Sequence, residues 1–338
     1  MTENRKKLYS LENQYINNFH TINDKENLIL QINNILLKIS PDFQDKTLKS
    51  INELLKFIPK INFSSKFLSS IVHIQENELS NKITDKEILI ARQYVENLLD
   101  INLSAVSVEY VNNSLIGNTE GQCIACSKNN HKIFYQENEY GVVSTDLIIH
   151  EFGHAADFTI SRNIEDDKLL NSHISIAEAI AYYCQYSFLI EFGTKIQRQG
   201  VFGAFIYTYL SIIICKHCLI NSIELKQINI NDIIIDRSVQ ELIKAYDQKV
   251  SNSFINERIK MIQNEHEGIV LLIKNEILPR FGMILALFLL DKDKKFINEL
   301  IQKNSIHNSL YDLVFEIIPN YEDDISDIES KFNDFFNG

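Results

Sequence analysis

Ten glycines and four prolines in 338 residues are too few to punctuate a many-stranded fold, because hairpins and tight turns draw most heavily on these two residues. Long helices need such breaks least, so the chain is expected to be mainly α. A hydrophobic share of 45% beside 23% charged residues can bury a substantial core, as one large domain or two smaller ones. The charge balance is acidic, 45 Asp and Glu against 33 Lys and Arg for a formal −12. Nucleic-acid binders concentrate Lys and Arg, so nucleic acid is not an expected partner.

Along the chain, residues 1–100 read as successive amphipathic helices. Leu28, Leu30, Ile32, Ile35 and Leu36 form one apolar stripe, and Ile51, Leu54, Leu55 and Ile58 another. Thr84 is placed to cap a further helix that opens at Asp85. The pattern then changes: 104–111, 121–127 and 131–136 are rich in β-branched or alternating residues and read as short strands. From Ser144-Thr145-Asp146 the helical signature returns, with breaks near 161–171, 193–200, 221–233 and 279–281. None of these has the composition of a flexible linker. An N-terminal helical region, 1–100, and a second region, 101–338, are therefore expected to pack as one compact unit.

No apolar segment follows the basic residues at the start, and the longest apolar runs, Ile212 to Cys215 and Met283 to Leu290, are short for a bilayer. The expectation is a cytoplasmic protein without a membrane partner, although export by a dedicated system would leave the same pattern. Five cysteines, an odd number, suit a reducing compartment. Cys123/Cys126 and Cys215/Cys218 have CxxC spacing. A strand would send the first two sulfurs to opposite faces, however, and the second pair sits in an apolar helix, so buried free thiols are expected.

Chemistry concentrates at His150-Glu151-Phe152-Gly153-His154, an HExxH motif in the helix that starts near Thr145. Four residues are little more than one helical turn, so both imidazoles share a face and can meet one zinc ion at about 2.0–2.1 Å. Glu151 lies about 100° around the helix, suited to act as the base that activates the attacking water. A catalytic zinc needs a third protein ligand and an open position. A third histidine in the HExxHxxGxxH pattern is ruled out, because Asp157 and Ile160 occupy the required positions. Glu165, Asp166, Asp167 and His173 lie in a polar, loop-like stretch. Glu178 is a lone charge among Ile176, Ala177, Ala179, Ile180 and Ala181, and ligation would remove the cost of burying it. Asp157 is a candidate partner for a ligand imidazole, with a solvated helix carboxylate the plainer alternative.

These segments together resemble the oligoendopeptidase F and thimet oligopeptidase family of zinc metallopeptidases. The likeness runs through Gly121 to Cys126, Lys132 to Gln136, Asp146 to Ala155 with its HEFGHA, and Ile176 to Ala181, over roughly 118–195. It implies a zincin-type fold with a small sheet beside the active-site helix, zinc on His150, His154 and Glu178, and hydrolysis of oligopeptides with Glu151 as base. Strand residues Gly121, Cys123 and Ala125 would then pair with an extended substrate.

Two departures qualify the likeness. Family members have a longer helical half enclosing the substrate channel, whereas 149 residues of this sequence stand before the motif at His150. The family also carries a late His and Tyr cluster just before a Gly-containing helix, thought to hydrogen-bond the reaction intermediate, whereas residues 277–281, just before Gly282, contain no tyrosine here. Arg280, His266 and Tyr311 are the candidates for that role. HEFGHAxD is also similar to the lethal-factor type of metalloprotease, so a protein-cleaving effector or toxin is one alternative. A catalytically inactive zincin scaffold is another, and a helical protein with an accidental motif a third.

Overall fold

The computed structural model describes residues 1–20, 22–64, 66–68, 83–111, 116–117, 119–137, 144–203, 205–237, 239–241, 252–321 and 328–338. Helices dominate, with one small three-stranded sheet. Three helices come first: α1 (Glu3–Asn17), α2 (Ile22–Ile39) and α3 (Phe43–Leu54). Next is α4 (Asp85–Leu99), opened by a reciprocal capping box in which Thr84 and Glu87 bond each other's backbone N–H.

The strands β1 (Ser107–Tyr110), β2 (Gly121–Ile124) and β3 (Lys132–Tyr135) are shorter than their sequence pattern implies. They are ordered β1-β3-β2, with β1 parallel and β2 antiparallel to β3. β2 is therefore an edge strand. Its pairing stops because Ser127 takes a left-handed φ of 52° and gives its N–H to the Glu12 carboxylate at 2.9 Å. Ala125, expected within the strand, lies just beyond it.

Two helices carry the site: α5 (Thr145–Asn163) and α6 (Ile174–Phe192). After them come α7 (Lys195–Gly200), α8 (Phe205–Asn221), α9 (Ile230–Ile234) and α10 (Asn252–Glu265). The break expected at 279–281 is absent. α11 (Ile269–Leu272) runs through a π-helical turn at Ile273–Ile277 into α12 (Leu278–Leu289). Pro279 sits at the start of α12, where the wider turn before it accommodates the missing N–H that would otherwise break the helix. The expected breaks at 193–200 and 221–233 are likewise narrower, since α7 and α9 fall inside them. α13 (Lys294–Lys303), α14 (Leu310–Ile317) and α15 (Ile328–Asn337) complete the chain.

One apolar core extends from Ile51 and Leu54 through Ile148, Phe152 and Ile180 to Phe332 and Phe336. It crosses the division expected near residue 100. α1 is fastened separately to the end of α5: Glu12 receives two hydrogen bonds from the buried Arg162, at 2.7 and 2.8 Å, and Arg5 meets Asp167 at 2.8 Å. Such matching is what lets guanidinium groups sit inside a protein. Contrary to the reading of apolar runs, the stretch Lys195–Asn221 is long and apolar enough to cross a membrane, and 71% of its most apolar part is buried in the fold. Tyr209, Leu210 and Ile214 of α8 supply core contacts there.

Candidate functional site

α5 is well placed to hold chemistry rigidly. Asp146 in its first turn and Arg162 in its last complement the helix dipole, and Ile148, Ile149, Phe152, Ala155 and Ala156 are buried along it. α6 packs on one side against α5 and on another against α12. At the α5–α6 crossing there is no room for a side chain: a Cβ on Gly153 would lie 2.7 Å from the Ala181 Cα. That close approach brings Glu178 over the motif. Its carboxylate oxygens stand 3.5 Å from His150 Nε2 and 3.7 Å from His154 Nε2. The two imidazole rings are 4.8 Å apart at 85°, and one ligand atom from each residue lies within 4.8 Å of the other two. Donors bound tetrahedrally at about 2.0–2.1 Å are roughly 3.4 Å apart, so two imidazoles and a carboxylate here fit a zinc ion in separation and in type. With 22% of the Glu178 side chain reached by solvent, the group is accessible from outside.

The electrostatics also call for a cation. Burial disfavours charge on His150, but the hydrogen bond and charge of Glu178 outweigh it and raise the proton affinity of the ring. Burial pushes His154 down to about 4, against the pull of Glu178. Glu178 is held below its usual range because the attraction of His154 and His150, aided by Arg280, overcomes a larger opposing desolvation. A metal ion would take the place of the proton in this group.

Glu151 is 5% exposed, and burial followed by repulsion from Glu178 raises it to about 7, against His150 and the Cys123 backbone N–H. One of its oxygens, Oε2, is buried with no hydrogen-bond partner among the described residues. The other, Oε1, would be 2.7 Å from a Cβ on Gly121, so only glycine at that point of β2 lets the carboxylate lie against the edge strand. Gly121 and Cys123 therefore border the motif. Asp157 is buried, and burial alone raises it to about 7. It is not among the groups that shift the proton affinity of either motif imidazole.

The residue that does bear on His150 is Gln185, unmarked in the sequence reading. Its carboxamide favours the charged imidazole and donates to Asp146 Oδ2 at 2.7 Å, while His150 Nδ1 itself is buried and makes no hydrogen bond among the described residues. The register could have revealed it: Gln185 is seven residues after Glu178, and Asp146 four before His150, so each shares a helix face with a ligand. Tyr182, four residues after Glu178, was equally visible and equally unmarked. Its ring lies 4.5 Å from that of His150 at 66°. Burial, then the Glu178 charge, holds its phenol above the ordinary tyrosine range.

Of the three residues considered for stabilising an intermediate, Arg280 alone acts on the site, on Glu178 and Tyr182. His266 is bound to Glu276 at 2.9 Å. Together with Glu265 these two form a second cluster of possible ligands, but Glu276 is already matched by Arg258 and Ser211, each at 2.5 Å. Tyr311 stacks on Phe57 and Phe315. All five cysteines are free. Burial raises each, to about 11 for Cys126 and Cys218 and to about 12 for Cys215, which keeps these thiols protonated and poor as metal ligands.

No family model, no curated protein and no solved structure matches this chain.

Proposed function

We propose that the protein is a zinc-dependent endopeptidase of zincin type, related to the oligoendopeptidase F and thimet oligopeptidase family, acting on peptides. The observation that carries this reading is Glu151: a buried carboxylate that feels His150 and Glu178 of the triad, with one oxygen lacking a partner among the described residues. Such an oxygen is costly inside a fold, and it is what a general base requires.

His150, His154 and Glu178 would hold the ion. When bound, zinc supplies Lewis-acid polarisation of a carbonyl and acidifies water. Glu151 takes the proton from the attacking water through its free oxygen and passes it to the departing amine. Its place beside Gly121 puts this transfer next to the edge strand β2, where the backbone of an extended peptide can add by strand pairing. Gln185, which donates to Asp146, stands near His150 and favours charge on its ring.

The test compares wild type with Glu151→Gln on a mixed quenched-peptide library, with zinc content measured on both. The reading expects about one zinc in each and cleavage by wild type alone. Equal cleavage by both proteins, or none by either with zinc bound, contradicts it.

A further inference from the structure

Among the described residues, two side chains near the triad have donors without a hydrogen-bond partner. Tyr182 is only partly buried in a neighbourhood where His150 and Glu151 are buried, and its hydroxyl makes no hydrogen bond among the described residues. Its neighbour one turn on, Tyr186, bonds the Met283 carbonyl at 3.4 Å. Arg280, half-buried on α12, has no ion pair or hydrogen bond among the described residues. The interior arginines Arg5, Arg162 and Arg258 are each matched with a carboxylate, Asp167, Glu12 and Glu276 respectively. Arg198 and Arg92 donate instead to main-chain carbonyls, so Arg280, whose charge is felt by Glu178 and Tyr182, differs from the other buried and half-buried arginines among the described residues in making neither kind of contact.

We infer that Tyr182 donates a hydrogen bond to the oxygen that gains negative charge as water adds to the scissile carbonyl, with Arg280 supplying positive charge behind it. The inference rests on the peptidase reading and deepens it. Its basis is placement. Glu178 and Tyr182 are one helical turn apart on one face of α6, and the Tyr182 ring lies against that of His150. A phenol there lies within one side chain of the triad and of Glu151, whose charges it feels. A neutral phenol gives a donor that the acidic surroundings cannot, and a fixed donor aimed at developing charge is the usual large contribution to such reactions. Glu178 and Glu151 alone would oppose an oxyanion at this spot; Arg280 offsets them.

Tyr182→Phe keeps the ring against His150 and removes only the hydroxyl. On the best-cleaved library peptide, zinc-loaded Tyr182→Phe should lose about 100-fold in kcat with little change in KM. A phosphinic analogue of that peptide, which carries the anionic oxygens of the intermediate, should bind about 100-fold more weakly by calorimetry. Zinc content and thermal stability should be unchanged. Arg280→Met should weaken the same analogue about tenfold. Unchanged kcat and analogue affinity in Tyr182→Phe overturns the inference, as does loss of zinc, which would make the ring a packing element. If Arg280→Met changes only KM, and only for peptides with a free rather than amidated C-terminus, Arg280 binds substrate carboxylate and its part in the inference falls. If zinc-loaded wild type cleaves no peptide, the peptidase reading itself has failed, and this inference with it.

Discussion

Replacing Gly153 by alanine should open the metal site without touching a ligand. The new Cβ would lie 2.7 Å from Ala181 Cα and 3.3 Å from Ala181 O, whereas carbon atoms rest about 3.5–4.0 Å apart. The obstacle is backbone, so no rotamer change relieves it, and α5 and α6 must separate by about 0.8 Å or more. Gly153 adjoins His154, and Ala181 is three residues from Glu178, so the separation carries the ligands with it. At 3.5 and 3.7 Å the imidazole–carboxylate distances are already at the upper side of what one zinc ion spans. Alanine's better helix propensity returns about 1 kcal/mol, but overpacking costs about 1–3 kcal/mol, so the net effect on folding is small or unfavourable. The effect on zinc should be larger, a loss of about 10- to 100-fold in affinity. Competition with a chromophoric chelator measures it, and melting in excess chelator separates folding from binding. Gly200→Ala, with nothing within 4 Å of its Cβ, is the control. Gly153→Ala with wild-type zinc affinity and raised stability would refute the crossing argument.

Two further outcomes follow from buried groups. Gln185→Leu removes the polar group that favours charge on His150 and should weaken zinc binding about 10-fold while the fold persists; unchanged affinity by chelator competition removes Gln185 from the site. Asp157 holds its proton up to about 7 in the folded protein against 3.8 ordinarily, so the folded state binds more protons than the unfolded between those values and stability falls as pH rises through them. Above pH 7 this costs at most about 4 kcal/mol. Asp157→Asn should therefore raise the melting temperature of the metal-free protein at pH 8 and do little at pH 4, and a gain independent of pH counts against a buried, protonated carboxyl.

Much of the site was legible because its spacing is local. HExxH needs only the helical repeat, and Glu178 stands out as a charge in an apolar helix. The shortage of glycine and proline pointed to a helical fold, and the β-branched segments to a small sheet. What escaped depends on three-dimensional partners. Nothing in the local sequence says that Glu12 will meet Arg162, 150 residues away, or that it will also take the Ser127 N–H just past β2. The π turn ahead of Pro279 is a tertiary accommodation that propensity does not foresee. Tyr182 and Gln185 were within reach of helix-face arithmetic, but an isolated polar residue on an apolar helix becomes informative only when its neighbours across the crossing are known. Asp157 shows the converse: the expected spacing is present, yet its carboxyl bears on neither ligand imidazole.

The most direct test is X-ray absorption at the zinc edge of the reconstituted protein, beside His154→Ala and Glu178→Ala. The account predicts about one zinc per chain with nitrogen and oxygen neighbours at about 2.0–2.2 Å, two of them imidazoles, and loss of that signal in both variants. Sulfur neighbours near 2.3 Å, or a spectrum unaltered by either substitution, would place the metal elsewhere and contradict it.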